Sequence, residues 1–360
     1  MILFMRNTIE DYLKKNQIGS HCTSTSLRNI LAYYGHPFTE DLCFGLGGGL
    51  GFSFYKIPEM KVYSFSGRAR NLERLFCKSL GIYAEYYCNQ DGEDMWKTFG
   101  SILGMNEPIL VKLDINHLEY MKQLFKINER IELGEHMAVL VGNDENSVQV
   151  SEYFRRKAFT IEKSVLLESM KCKFEDKSLF NIFYKFRVPN KLIELPTALL
   201  NSIYYNSHEM MNGFGSSLGL PGLVKFMNDI FLWPNVMKPM DLKRNAYMAY
   251  VCFEKIGTGG GNFRLMYARF LHQAGELLKS SYLIDVANEY AVLSKYWKIF
   301  ASEMYGIFLT SDMNALNLED RLKKLCITIK NKEKENIIRL NEWALKYCSQ
   351  DIDVNLSKVE

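Results

Sequence analysis

The chain has 360 residues, enough for about two domains, of which 48% are hydrophobic and 24% charged. Its 44 Lys and Arg against 41 Asp and Glu give a formal net charge of +3, with neither sign gathered into one half, so bulk charge supplies no motive for binding nucleic acid. Its eight cysteines include no C-x-x-C pair, the opening MILFMRNTIEDYLKK soon turns charged, and no run of about 18 uncharged apolar residues follows, so the expectation is a cytoplasmic protein with reduced thiols, neither exported nor membrane-spanning.

Residues 23–34, TSTSLRNILAYY, place Leu27, Ile30, Leu31 and Tyr34 along one helical face, with Thr and Ser as caps and Gly35 as a stop. Cys22 therefore opens a helix. Further helices are predicted near 70–80 and 93–103, and strands at Tyr83–Cys88, Ile109–Asp114, His136–Val141 and Ser147–Glu152. The last two flank the turn Asn143-Asp144-Glu145-Asn146 and read as a hairpin. After Val188-Pro189-Asn190 the pattern changes to long helical stretches, among them 262–279, 281–304 and 318–348. The prediction is an α+β domain over residues 1–189 and an all-helical domain over 190–360.

Among the cysteines, Cys22 has the setting a nucleophile needs, because the amides and dipole of a helix N-terminus favour thiolate over thiol. A general base must come from elsewhere, and His136 opens an apolar strand that would hold an imidazole firmly. Glu152, on the return strand of the hairpin, comes near enough across the ladder to orient it, giving a Cys-His-acid order. The plainer alternative is a buried inert thiol and a structural histidine.

The segment GSHCTSTSLRNILAYYGHPFTEDLCFGLGGGLGFSFY, residues 19–55, resembles the opening of the butirosin biosynthesis protein H family. Pro108-ILVKLD and HMAVLVGNDENSVQVSE fit later strands of that pattern, and GTGGGNFRLMYARFLHQAG, residues 257–275, resembles the helical domain that follows. The resemblance implies a papain-like, bacteriocin-leader-peptidase-like cysteine domain with a C-terminal all-helical domain. It also implies transfer of an acyl group from a carrier-protein thioester onto an amine in antibiotic assembly, with Cys22 as acyl acceptor and His136 as base. The third position is commonly Asp in such families and is Glu152 here, with Asp144 a weaker substitute. Papain-like enzymes set an amide side chain shortly before the nucleophile to bind the oxyanion, and Asn16 and Gln17 are the candidates.

The GLGGGLG run at 45–51 has no G-x-G-x-x-G register and no Walker lysine, so it is not a nucleotide loop. GTGGGNFR at 257–264 precedes a helix, where a phosphate could rest, although a structural turn is the simpler reading. Arg155, Arg156 and Lys157 follow Glu152 and are candidates for docking an acidic carrier protein. Asp114 and His117 alone make too small a set for a metal, and none is expected. No cofactor is expected either; phosphopantetheine would enter only as the arm of an acyl or peptidyl carrier protein, and the acceptor would be a small amine. The rival readings are a cysteine peptidase or amidase that uses water as acceptor, and a catalytically silent small-molecule-binding protein of the same fold.

Overall fold

The computed structural model describes residues 8–57, 62–125, 135–171, 180–213, 215–311 and 317–347. Cys172, Cys348 and the first residues, on which the export expectation rests, lie outside them. The chain forms two compact units, Met1–Cys43 with Gly81–Leu192, and Phe44–Leu80 with Ile193–Glu360.

The first unit is α+β, built on one antiparallel sheet of six strands. Their spatial order is Tyr83–Tyr87, Phe183–Arg187, Ile109–Asp114, Glu135–Asn143, Ser147–Ser151 and Phe159–Glu162. The central strands are nearly continuous apolar runs because both of their faces are covered: Ile109, Leu110, Val111, Ala138, Val139 and Leu140 are wholly buried. Helices Ile9–Lys15 and Cys22–Tyr33 pack on strand Glu135–Asn143, which also meets helix Gly92–Gly104. In helix Cys22–Tyr33 Leu27, Ile30 and Leu31 of the predicted stripe are buried, while Tyr34 is the half-buried C-cap; Ser24, Thr25, Arg28 and Asn29 are buried too. Buried polar groups require partners: those of Arg28 and Asn29 lie at Asn16 and Gln17 in the loop before Cys22, those of Ser24 and Thr25 at His21 and Glu40.

The second unit is mainly helical. It comprises helices Leu72–Leu80, Leu195–Asn212, Gly219–Asp229, Pro239–Tyr250, Arg264–Leu277, Ser281–Leu309 and Leu318–Tyr347, with shorter turns, and a hairpin of strands Leu50–Ile57 and Val62–Arg68. A single cut near residue 190 would have assigned residues 44–80 to the α+β half. They group instead with the helices because the hairpin supplies core to them. Phe52, Phe54 and Phe65 meet Phe226, and Phe65 also meets Phe253 and Trp233, at centroid separations of 5.4–6.4 Å. Buried Asn206 binds the backbone of Gly48 and Leu50, and Asn245 accepts from the Tyr63 amide at 2.7 Å. Arg264, wholly buried, donates to the carbonyls of Gly51 at 3.0 Å and Gly67 at 2.9 Å, one on each strand, and pairs with Glu333 at 2.6 Å.

The two glycine runs serve this packing. A Cβ at Gly45 would lie 2.0 Å from the Phe270 ring, so the backbone passes where no side chain fits. In the 257–264 turn the Glu254 carboxylate accepts from the Gly261 amide at 2.8 Å, so an acid of the chain itself stands where an external phosphate was considered.

Candidate active site

Cys22 is the first residue of its helix, and the extended His21 caps it, with Nδ1 accepting from the Ser24 amide at 3.4 Å and 3.0 Å from Ser24 Oγ. Glu40 fixes the approach to Cys22. Its carboxylate accepts from the amides of Ser20 at 2.9 Å and His21 at 2.7 Å and from the Thr25 hydroxyl at 2.9 Å. Gly19 passes so close that a Cβ would lie 2.0 Å from Thr25 Oγ1, while its amide donates to the Tyr153 carbonyl at 2.7 Å. The loop before the thiol is thereby tied both to its own helix and to the chain just after Glu152.

His136 and Glu152 are both buried, and the imidazole Nε2 lies 2.9 and 3.0 Å from the two carboxylate oxygens. The ring also makes a side-chain hydrogen bond with Cys22. Register explains how the acid reaches the base. At the turn end of the hairpin Asn143 pairs with Val148 and Gly142 with Gln149, whereas beyond it Leu140 pairs with Val150 and Val139 with Ser151. Val141 is therefore an extra residue, a β-bulge, between the two stretches. Extended past the bulge, the ladder sets Glu152 opposite Ala138, on the same face as His136. Without it, Glu152 would stand opposite Val139, on the other face.

Burial by itself pulls the His136 pKa down, but the charge of Glu152 and the hydrogen bonds to Cys22 and Glu152 outweigh it and push the group from 6.5 up to about 10. Tyr120, from helix Glu119–Phe125, donates to Glu152 Oε1 at 2.7 Å and stacks on Phe159 at 4.9 Å. Its own pKa is pushed well up, first by burial and then by the Glu152 charge, so it stays a neutral donor. The Tyr153 ring lies 5.9 Å from the imidazole and walls the site.

The other sequence candidates fall into place around this line. Asn16 is buried, and its amide nitrogen donates to the carbonyls of Arg156 at 2.9 Å and Arg155 at 3.3 Å, while its oxygen accepts from Asn29. Its donors thus hold the basic loop, whereas Gln17 is exposed at the same approach. Arg155, Arg156 and Lys157 are exposed, with the Arg155 guanidinium 4.3 Å from the Phe159 ring centre. Asp144 sits in the turn and accepts from Ser147 Oγ at 3.3 Å, away from His136. Asp114 caps the short turn after its strand, 3.9 Å from His117, and among the described residues no group of three or more His, Cys, Asp or Glu converges to hold a metal. The described cysteines form no disulfide. Burial pushes Cys252 and Cys326 up to about 12 and Cys43 and Cys77 higher still, which leaves them as unreactive thiols.

Nothing in the sequence singles out Tyr120, which lies far from either strand of the hairpin in the chain. Glu40 stands within the 19–55 resemblance, so a signal existed, but its task as anchor of the Cys22 loop shows only in three dimensions.

Residues 21–152 match the family model described as butirosin biosynthesis protein H, N-terminal. The match supports the resemblance of this segment to that family. The match contains Cys22, His136 and Glu152, along with Glu40 and Tyr120. Residues 176–340 match a second family model, a domain of unknown function (DUF4872), which includes the 257–275 stretch read from the sequence. No curated protein matches the chain. Among the described residues, no helix is long and apolar enough to cross a membrane.

Proposed function

We propose that the protein is a cysteine-dependent acyltransferase of papain-like fold, which moves an acyl or peptidyl group from a carrier-protein thioester to an amine. The observation that carries the reading is the line from half-buried Cys22 through buried His136 to buried Glu152, at the start of a helix lying against an antiparallel sheet. The matched family is named for butirosin biosynthesis, and antibiotic assembly is the setting we take for the reaction.

The resting pair is thiolate and imidazolium, consistent with the raised His136 pKa. The Cys22 thiolate attacks the thioester carbonyl, and the tetrahedral oxyanion is met by the Cys22 amide and the Gln17 side chain, Asn16 being engaged with the basic loop. The C–S bond to the carrier breaks, and the departing thiolate takes the imidazolium proton. The now neutral His136 accepts a proton from the incoming amine as the C–N bond forms, and Cys22 leaves as thiolate, restoring the pair. Glu152, held by Tyr120, keeps the ring in register through both steps. One thioester is exchanged for another and then for a more stable amide, so no nucleotide is consumed.

Intact mass spectrometry of the protein with a carrier-bound acyl thioester tests the reading. We expect an acyl adduct that is absent in Cys22→Ala and is discharged to an amide when an amine is supplied. Rapid discharge by water alone would make the protein a hydrolase, and no adduct from any thioester would make it a binding protein.

A further inference from the structure

The second unit contains a cavity of about 460 Å³, within the usual size of small-molecule sites. Its walls differ in chemistry. Arg68, at the end of the hairpin, and Arg70, Arg74 and Lys78 beyond it form one side, with Arg74 and Lys78 a turn apart on helix Leu72–Leu80. Tyr205 and Glu209, also a turn apart, contribute from helix Leu195–Asn212. Leu50, Phe52, Leu75, Met210 and Leu218 give the interior an apolar surface.

Arg68 and Arg70 are partly committed to the walls themselves. Arg68 donates to the Ala69 carbonyl at 3.1 Å, and Arg70 lies 5.6 Å from the Tyr55 ring centre. Glu209 is the single carboxylate among the lining residues. Burial raises its pKa, and raises that of Tyr205 to about 12, so the phenol remains a neutral hydrogen-bond donor across the ordinary pH range. A concave apolar surface with four cations and one acid favours a guest that carries negative charge, and guanidinium groups offer paired donors suited to oxyanions.

We propose that this cavity binds an organic oxyanion, a phosphate or carboxylate joined to an apolar body. The oxyanion is held by the Arg68–Lys78 wall, the body lies against Phe52, Leu75 and Met210, and the Tyr205 hydroxyl donates to the ligand. The inference rests on residues of the second unit alone and is independent of acyl transfer by Cys22.

Calorimetric titration of the full-length protein with 1-naphthyl phosphate, 1-naphthoate, 1-naphthol and inorganic phosphate tests it. At least one of the two naphthyl oxyanions is expected to bind tenfold or more tightly than both 1-naphthol and inorganic phosphate, the better one identifying the head group. The R74Q/K78Q variant should weaken that binding at least tenfold, while R74K/K78R retains most of it; both pairs sit on a helix surface where these residues are well tolerated. Cys22→Ala should bind as the parent does, which separates this result from any failure of acyl transfer. Equal affinity for 1-naphthol and the oxyanions, unchanged affinity in R74Q/K78Q, or no saturable binding of either oxyanion would overturn the proposal.

Discussion

At the scale of single residues, the site depends on one imidazole that two groups keep protonated. The folded protein holds the His136 proton up to about pH 10, whereas the unfolded chain releases it near 6.5. The sign follows directly: this contribution to stability is complete below about 6.5 and is lost as the pH rises through 10. Glu152→Gln removes the carboxylate charge, so the decline in urea midpoint between pH 6.5 and 10 should flatten in that variant. The same substitution is expected to slow acyl transfer by about 10²–10⁴-fold, the range for losing acid–base assistance, and to move the alkaline limb of the rate profile downward. An unchanged profile would show that Glu152 takes no part in setting the imidazole. Cys22, His136 and Glu152 were legible in the sequence because a helix start, a strand start and a hairpin are local signals. Tyr120 was not, since its place beside Glu152 depends on how a separate helix packs.

At the scale of elements, local periodicity located helices Cys22–Tyr33 and Gly92–Gly104 and the central strands of the first unit, but not the shorter helices Ile9–Lys15, Glu119–Phe125 and Lys163–Met170. Strand Ile109–Asp114 and the hairpin around residues 143–146 stand where alternation and turn residues place them. Strands Phe159–Glu162 and Phe183–Arg187 were not read from the sequence; the first is only four residues long and buries neither face. The Leu50–Ile57 and Val62–Arg68 hairpin was hidden for a different reason: its aromatic residues serve a helical core remote in sequence. Arg264 makes that attachment explicit by donating to both strands while paired with Glu333, which also accepts from Trp297 Nε1 at 2.8 Å. Arg264→Met strands a buried carboxylate and frees three carbonyls, those of Gly51, Gly67 and Asn262, so it should cost about 3–5 kcal/mol. The companion R264M/E333L variant should recover part of that loss, because two apolar groups replace one orphaned charge. Thermal denaturation of the three proteins checks the order, and equal loss in both variants would deny the pair its stated role.

At the scale of the whole molecule, the formal charge of +3 says little about partners, because the exposed cluster at Arg155, Arg156 and Lys157 is local. Asn16 ties the backbone of this cluster to the loop that leads to Cys22, so the cluster is held within the same unit as the candidate triad. For an acidic carrier protein, reversing the three charges should raise the apparent KM severalfold and steepen no salt dependence, while a small thioester mimic keeps its rate. Equal impairment with both donors would exclude docking at this cluster. The two-part organisation was legible in outline, from the change of periodicity near residue 190. That segment 44–80 joins the later helices could not be read from any window of sequence, because the contacts that recruit it span well over a hundred residues.

The extra residue in strand Glu135–Asn143 has a consequence for how relatives of this chain should be judged. Whether an acid on the return strand can serve His136 is a question of parity: one residue gained or lost between them sends it to the opposite side of the sheet, and a second restores it. A chain could therefore keep Cys22, His136 and Glu152 in perfect alignment and still be inert. Deleting Val141, the bulge residue, should abolish thioester-dependent labelling of Cys22 while circular dichroism still reports a folded sheet. Counting the residues between base and acid, and not only naming them, becomes a test for activity.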